Sequence, residues 1–443
     1  MSFSDTMDEI ENKLGVFFID GQEFKGKIIN NKNNLFLELD VDFSKASEFN
    51  FENKEFIFGK IKNIPITLYQ CFLFDDVIEV SFVVNYLFKN LRKEDCFKFN
   101  NIYVKYNHFD EWVLRSGISR GKVDFNNNSY NLNFSLLPNI TVNLGDFDIC
   151  IDQFWGTKNK LNEFVFYDSN IVKFEFKDYL SFQDILSKVH ILDKFLSLAI
   201  NHDCGINKLF IEIDDGNIDI YSSEILKSSN EKYSRIHFLF TYNDIEKEFE
   251  SLLNTFFSKY GHFLNFINIY HINLKIDTYG EALFIAYTQA LETYMRENPN
   301  LNDIYLPEDE YIVTIQPMYD CLNELDIDKS HKQSLENRIK YGFEYSLRKR
   351  FDELFNLLED LEIINCLKED FPNFISNVVD TRNYYTHYSE ELKEVALKNK
   401  ELFNLNQDLK ILIEVCLLKE IGFSNELIDR IMIDKFNHKD KLL

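Results

Sequence analysis

Asn243-Asp244-Ile245-Glu246-Lys247-Glu248-Phe249-Glu250-Ser251-Leu252-Leu253-Asn254-Thr255-Phe256-Phe257 is where the hydrophobic pattern of this 443-residue chain changes its period. Ile245, Phe249, Leu252, Leu253, Phe256 and Phe257 recur three and four residues apart, the spacing of one buried helix face. Upstream the period is two. Leu35-Phe36-Leu37-Glu38-Leu39, Val77 to Val83, and Ser129 to Ser135 alternate apolar and polar residues, with Asn- and Asp-rich turns such as Asn30 to Asn34 between them. Many short strands separated by turn signals predict an antiparallel sandwich-like domain over 1–180. Ser181 and Asp184 form a capping-box pattern before a helical run from Phe182 to Ala199. Short strands near Leu209–Ile213, Ile218–Tyr221 and Ile236–Phe240 complete a region spanning 181–242.

Downstream, 243–443 reads as all helical. Leu283 to Tyr294 marks a second helix and Leu335 to Leu358 a third. Val378–Leu397 and Leu409–Leu418 mark two more, and Pro299–Pro317 reads as a loop. The fold class expected is therefore α+β, strands first and a helical bundle second.

Composition bounds the function. Apolar residues are 45%, charged residues 27%, Gly 14 and Pro only 6, which excludes collagen-like, low-complexity and broadly disordered chains. The net charge of −25 repels nucleic acid over most of the surface, so any RNA contact requires a local basic island. One exists. Lys329, Lys332, Arg338, Lys340, Arg348, Lys349 and Arg350 face only Glu336 and Glu344 across that stretch, while residues 246–443 as a whole carry net −14. A merely solvated helix face explains such a run equally well.

The first residues lack a basic and an apolar signal region, and no run approaches a membrane span; the expectation is a cytoplasmic protein without a membrane partner. Seven scattered cysteines, never in a C-x-x-C pair, predict free thiols in a reducing compartment, where sequons at Asn127, Asn133 and Asn139 stay unmodified. None of the nine histidines has metal-ligand spacing, so no metal or other cofactor is expected. Gly21-Gln22-Glu23-Phe24-Lys25-Gly26-Lys27-Ile28 matches G-x-x-x-x-G-K, but Ile28 replaces the Ser or Thr that would hold magnesium, and the segment reads as a hairpin.

One segment carries chemistry. Thr381-Arg382-Asn383-Tyr384-Tyr385-Thr386-His387-Tyr388 follows Asp380, an acidic residue suited to a helix start. It joins a permanently charged guanidinium to an imidazole, the side chain type that titrates nearest neutrality. Arg382 and His387 stand about 140° apart on a helix, a gap a long arginine can cross, whereas Asn383 and His387 share a face. Together they can hold a phosphate, orient a ribose and move a proton. The structural alternative is that Arg382 pairs with an acidic neighbour and His387 is half-buried among the tyrosines.

Arg382-Asn383-Tyr384-Tyr385-Thr386-His387 resembles the R-x(4–6)-H signature of the HEPN superfamily, with its polar residue directly after the arginine. Ala290-Leu291-Glu292-Thr293-Tyr294, Ser346-Leu347-Arg348-Lys349-Arg350-Phe351 and Leu409 to Gly422 resemble the early, middle and closing helices of its ApeA-like branch. Met295 stands where the resemblance implies a polar residue or histidine. The β-rich half, with Phe24-Lys25-Gly26-Lys27 and Phe154-Trp155-Gly156, is similar to that family's N-terminal domain.

The resemblance implies an anti-phage, abortive-infection ribonuclease that acts without metal and pairs its motifs across a homodimer or higher even oligomer of the helical domain. In that reading His387 is the general base, Arg382 stabilises charge on the phosphoryl oxygens, and Asn383 orients His387 or holds a phosphate. Arg338, Lys340, Arg348, Lys349 and Arg350 would bind RNA, with tRNA one candidate. A phage-derived trigger would act on the N-terminal domain as sensor or restraint. Two further expectations compete: a non-catalytic HEPN scaffold that binds RNA or assembles, and a glycan- or peptide-binding sandwich using Trp112 and Trp155.

Overall fold

The computed structural model describes residues 7–31, 34–41, 51–75, 80–92, 97–124, 129–160, 163–214, 216–227, 233–275, 279–370, 373–388 and 390–438, with side chains described outside 120–131 and 158–164. It divides into two compact units, Met1–Phe257 and Ser258–Leu443. The period change at Asn243 lies upstream of that division, because Phe249 and Phe256 pack into the first unit, against Trp112 and Phe195 respectively.

The first unit is built on one antiparallel sheet. Its strands are β1 (Leu14–Ile19), β2 (Gln22–Asn31), β3 (Asn34–Leu39), β4 (Lys54–Ile61), β5 (Ile64–Asp75), β6 (Val80–Lys89) and β7 (Lys98–Tyr106). After a short helix α1 (Phe109–Val113) come β8 (Ile118–Asp124), β9 (Ser129–Phe134), β10 (Ile140–Asn143), β11 (Phe147–Lys160) and β12 (Glu163–Ser181). Helix α2 (Phe182–Ile200) precedes β13 (Ile206–Ile213) and β14 (Gly216–Tyr221). The short helices α3 (Ser223–Lys227) and α4 (Tyr242–Ile245) lead to α5 (Phe249–Lys259).

The strand order is β10-β11-β12-β7-β13-β14-β6-β3-β2-β1-β4-β5, and β5 also pairs with β6. That last pairing closes β6-β3-β2-β1-β4-β5 into a barrel. The expected strand-rich antiparallel unit is present, and its form is a barrel with a sheet extension where a sandwich-like arrangement was anticipated. The physical reason lies in β6. Its Leu35-facing half pairs with β3, its last residues pair with β14, and its other edge pairs with β5 along its length. Closure removes free edges.

Alternating residues fill the barrel: Phe17 and Ile19, Leu35, Leu37 and Leu39, Ile57 and Ile61, and Phe82 and Val84 are all buried. Gly59 is required there, since a Cβ would lie 2.6 Å from the Val16 carbonyl oxygen and against the Phe17 ring. Gly21 turns the β1–β2 hairpin at φ +80°, and Gly26 and Lys27 lie within β2, so the G-x-x-x-x-G-K match is a hairpin and not a phosphate loop.

The Ser181 cap forms as read: its side chain accepts from the Asp184 backbone N–H. Buried Trp112 packs on Phe109, Phe195, Tyr242 and Phe249, whereas Trp155 is 48% exposed and stacks on Phe166. Ile236–Phe240 is not a strand; Arg235–His237 forms one 3-10 turn, and Leu239 and Phe240 donate their N–H groups to the Ala199 carbonyl. Val77, Asn127 and Cys96 lie outside the described residues, where the other six cysteines are free thiols.

The second unit is helical: α6 (Leu264–Lys275), α7 (Gly280–Glu297), α8 (Glu308–Glu324), α9 (Lys329–Lys340), α10 (Leu347–Leu357), α11 (Glu362–Asp370), α12 (Phe374–His387), α13 (Asn399–Ile421) and α14 (Asn425–His438). Helix α13 runs through the core, with Leu409, Leu412, Val415, Cys416 and Leu418 fully buried. Three readings are corrected. The segment Pro299–Pro317 is not one loop, because α8 starts after Pro307 and contains Pro317. Leu335–Leu358 is two helices, parted at Tyr341–Ser346 and restarted where Ser346 accepts from the Lys349 N–H. The Val378–Leu397 helix stops at His387.

No helix among the described residues is long and apolar enough to cross a membrane.

Candidate active site

Helix α12 anchors itself by Phe374, Val378 and Thr381, which are buried and fall on one face at four- and three-residue spacing. Thr381 is fully buried, and its hydroxyl accepts the Leu397 N–H at 3.0 Å, while the Tyr385 hydroxyl donates to the Leu397 carbonyl at 3.3 Å. These two bonds clamp the chain that follows the helix. Tyr388 then takes a left-handed conformation, φ 49°, and ends the helix by donating its N–H to the Tyr384 carbonyl. Asp380 therefore sits in the body of α12, and the Arg-to-His segment occupies its final turns. The expectation of a helix start here is reversed.

Fixing the buried stripe fixes the rest by geometry. Asn383 and His387 fall on the side opposite Phe374 and Val378, and His387 is exposed. Arg382 leaves the flank, about a third exposed, toward α7. There its Nη2 lies 3.6 Å from Glu292 Oε2, and its Nη1 is 3.4 Å from Asn383 Oδ1. The Thr386 hydroxyl donates to the Arg382 carbonyl at 2.7 Å and ties the two ends of the motif together. The structural alternative weighed from sequence is thus realised in one half only: Arg382 does meet an acidic neighbour, but His387 is exposed at the helix end. Tyr384 packs at 5.1 Å from Tyr385 and 5.8 Å from Tyr388, beneath the Lys398 ammonium. Burial, followed by the charge of Glu281, pushes the Tyr385 phenol up.

Glu292 is held in turn. Its other oxygen accepts from Arg296 Nη2 at 3.3 Å, and Arg296 Nη1 reaches Glu344 at 3.0 Å. Glu344 also accepts from Arg350 Nη2 at 3.1 Å, and Arg350 Nε donates to the Tyr345 carbonyl. Positive and negative groups alternate from the interior at Arg350 to the solvent edge at Arg382. Helices α7, α10 and α12 contact one another, which makes this chain possible.

A family model described as ApeA N-terminal domain 1 matches residues 12–256, and one described as Apea-like HEPN matches residues 285–427. The first alone spans more than half of the chain. The chain belongs to the ApeA family. Its second match runs from α7 to the start of α14 and includes Glu292 and the whole Arg382–His387 segment. No curated protein and no solved structure matched the chain.

In this ApeA-family protein the basic island is divided between α9 and α10, with Arg350 turned inward. Arg338 and Lys340 lie on α9, which packs against α8. Arg348 lies on α10 and reaches α12, donating from Nη1 to Ser376 Oγ at 2.6 Å and standing 3.7 Å from Asp380. Lys349 turns to Glu353 at 2.7 Å. Arg350 corrects the expectation most directly: its side chain is 1% exposed, so it is an interior ion-pair partner and cannot touch RNA. The sequence reading named the Ala290–Tyr294 segment but not Glu292 as a site residue; its four-residue spacing from Arg296 was the available signal. Met295 is buried. Among the described residues no cluster of His, Cys, Asp and Glu could hold a metal ion.

Proposed function

We propose that this protein is an anti-phage ribonuclease that cuts RNA through its own side chains at the end of α12. The observation that supports this reading most is the pairing there of an exposed imidazole with a guanidinium aligned by a carboxylate, within the matched HEPN segment. His387 takes the proton of a ribose 2′-hydroxyl. The freed oxygen bonds to the adjacent phosphorus, the bond from phosphorus to the 5′-oxygen breaks, and that oxygen leaves with a proton returned from an imidazolium. Arg382 faces the negative charge that builds on the phosphoryl oxygens. Asn383, on the face of His387 and beside Arg382, orients the base or a phosphate oxygen. The products carry a 2′,3′-cyclic phosphate and a 5′-hydroxyl, and DNA, which lacks the nucleophile, is left whole.

A second copy of the chain completes the site in this proposal, because the helix face that carries His387 and Asn383 is open to a mirrored motif. The barrel unit senses a phage-derived trigger or restrains the helical unit, and the acidic surface keeps stray RNA away until release.

The test is cleavage of total RNA in EDTA by the purified chain. Loss of cleavage in both Arg382→Ala and His387→Ala, with RNA still bound, supports the reading. RNA that is bound but never cut by the unaltered protein, with or without phage lysate, leaves a binding scaffold instead.

A further inference from the structure

The side of α12 that bears His387 does not end at the motif. Ser376, Asp380, Asn383 and His387 are spaced four, three and four residues apart, within about 60° of one another around the axis. Arg348 meets the first two of them, at 2.6 Å from Ser376 and 3.7 Å from Asp380, and is still nearly half exposed. Beyond Ser376 a cleft of about 380 Å³ opens, lined by Arg348, Asp352, Asn356, Lys368, Asn373 and Ser376. The rings of Phe355 and Phe374, both buried, pack at 5.5 Å under it. Lys368 arrives from the last turn of α11, with its ammonium 5.6 Å from the Phe355 ring and open to solvent.

Two cations and three neutral hydrogen-bonding side chains against one lining carboxylate make a polar cleft in a part of the chain whose net charge is −14. Asp380, at its edge, shares Arg348 and leaves Lys368 as the cation that faces no carboxylate within 4 Å among the described residues. Its chemistry suits a phosphodiester better than a free dianion, which would need more donors and no carboxylate. Its place is what gives it meaning. Ser376 and His387 are eleven residues apart, roughly 16 Å along the helix. A dinucleotide cannot cover that distance; a single strand of up to about five stacked nucleotides, at a rise of ~3.4 Å each, can.

We propose that this cleft, with Arg348 and Lys368 as its cations, is a phosphate subsite that grips the RNA strand several nucleotides from the bond that Arg382 and His387 address. The proposal rests on the ribonuclease reading and adds a substrate class to it: single-stranded RNA long enough to span cleft and motif.

The full chain carrying His387→Ala, blocked in cleavage, is titrated with a single-stranded oligoribonucleotide of about twelve nucleotides and with a dinucleotide, over a salt series. Adding Lys368→Ala is expected to weaken the longer RNA roughly fivefold and to flatten its salt slope by about 0.7, with the dinucleotide unaffected. Lys25→Ala, which removes an exposed charge of β2 in the other unit, controls for net charge. If inorganic phosphate at millimolar concentration binds the parent but not Lys368→Ala and leaves the longer RNA in place, the cleft is a free-phosphate site and the RNA assignment is overturned. Affinity and slope unchanged within twofold in Lys368→Ala also overturn the proposal. Failure of the ribonuclease reading shows separately, as RNA left uncut by the unaltered chain. The subsite then stands if binding still depends on Lys368, and falls with the reading if the longer RNA is not bound at all.

Discussion

Replacing Glu292 with glutamine removes the charge beside Arg382 and keeps the shape and a hydrogen-bonding oxygen. The two predicted consequences differ in size. For stability, the Arg382–Glu292 pair has side chains 32% and 26% exposed, and screened pairs of this kind contribute about 0.2–1 kcal/mol. Glu292→Gln should therefore shift the melting temperature by no more than about 4 °C. For catalysis, the same change releases the guanidinium from its anchor at 3.6 Å and frees Arg296, which Glu292 also holds. A misplacement on the order of 1 Å at a reacting group costs up to ~100-fold in rate. Initial rates on a labelled RNA should thus show kcat falling roughly 10- to 100-fold, with KM changed by less than about threefold. Glu292→Asp, which restores charge at a shorter reach, should recover part of kcat. If kcat in Glu292→Gln equals that of the parent, or if kcat and melting temperature fall together and Asp recovers neither, the argument that Glu292 aligns Arg382 is wrong.

Three other outcomes test the scaffold. Arg350→Met should destabilise the chain by about 2–3 kcal/mol in denaturant titration, below the full cost of breaking a buried pair because Glu344 keeps Arg296. Lys410 loses hydration beside Lys435 and, although Glu414 lies 4.0 Å away, its ammonium is pushed down to about 8 from 10.5. A lowered lysine works against folding while charged in both states; as pH rises from 8 to 10.5 the folded chain sheds this proton first, and stability gains up to about 3 kcal/mol. Lys410→Met should remove that rise and be the more stable form at pH 7, read by denaturant midpoints across pH. Gly59→Ala should force the Phe17 ring aside and cost ~1–3 kcal/mol, measured as a lower melting temperature with the helical signal of the second unit retained.

What the sequence made legible followed how local each signal was. The alternation in Leu35–Leu39 and the Ser181 cap each need only a few neighbouring residues, and both are found as read. Barrel closure depends on β5 pairing with β6 while β6 also serves β3 and β14, and no local pattern encodes such sharing. Helix α8 was hidden because only Ile315 and Leu322 of it are buried, so it has hardly any apolar stripe, and Pro317 reads as a breaker. Arg348-Lys349-Arg350 read as one basic patch, yet 100° per residue turns them to three directions. Arg350 falls in line with Leu347 and Leu354 on the inward side, a signal that was present in the sequence. The Arg382–His387 motif was found because it is contiguous. Glu292, ninety residues earlier, becomes its neighbour only through the packing of α7 on α12.

The central claim is that a ribose 2′-oxygen is the nucleophile and that Arg382 and His387 serve it. Its most direct measurement is the end chemistry of fragments from an RNA oligomer in EDTA, beside the same oligomer carrying 2′-deoxyribose at the cut position. Expected are 2′,3′-cyclic phosphate and 5′-hydroxyl ends, no cleavage at the deoxy position, and none anywhere with His387→Ala. Fragments ending in 5′-phosphate, or a cut that survives the deoxy substitution, would contradict it.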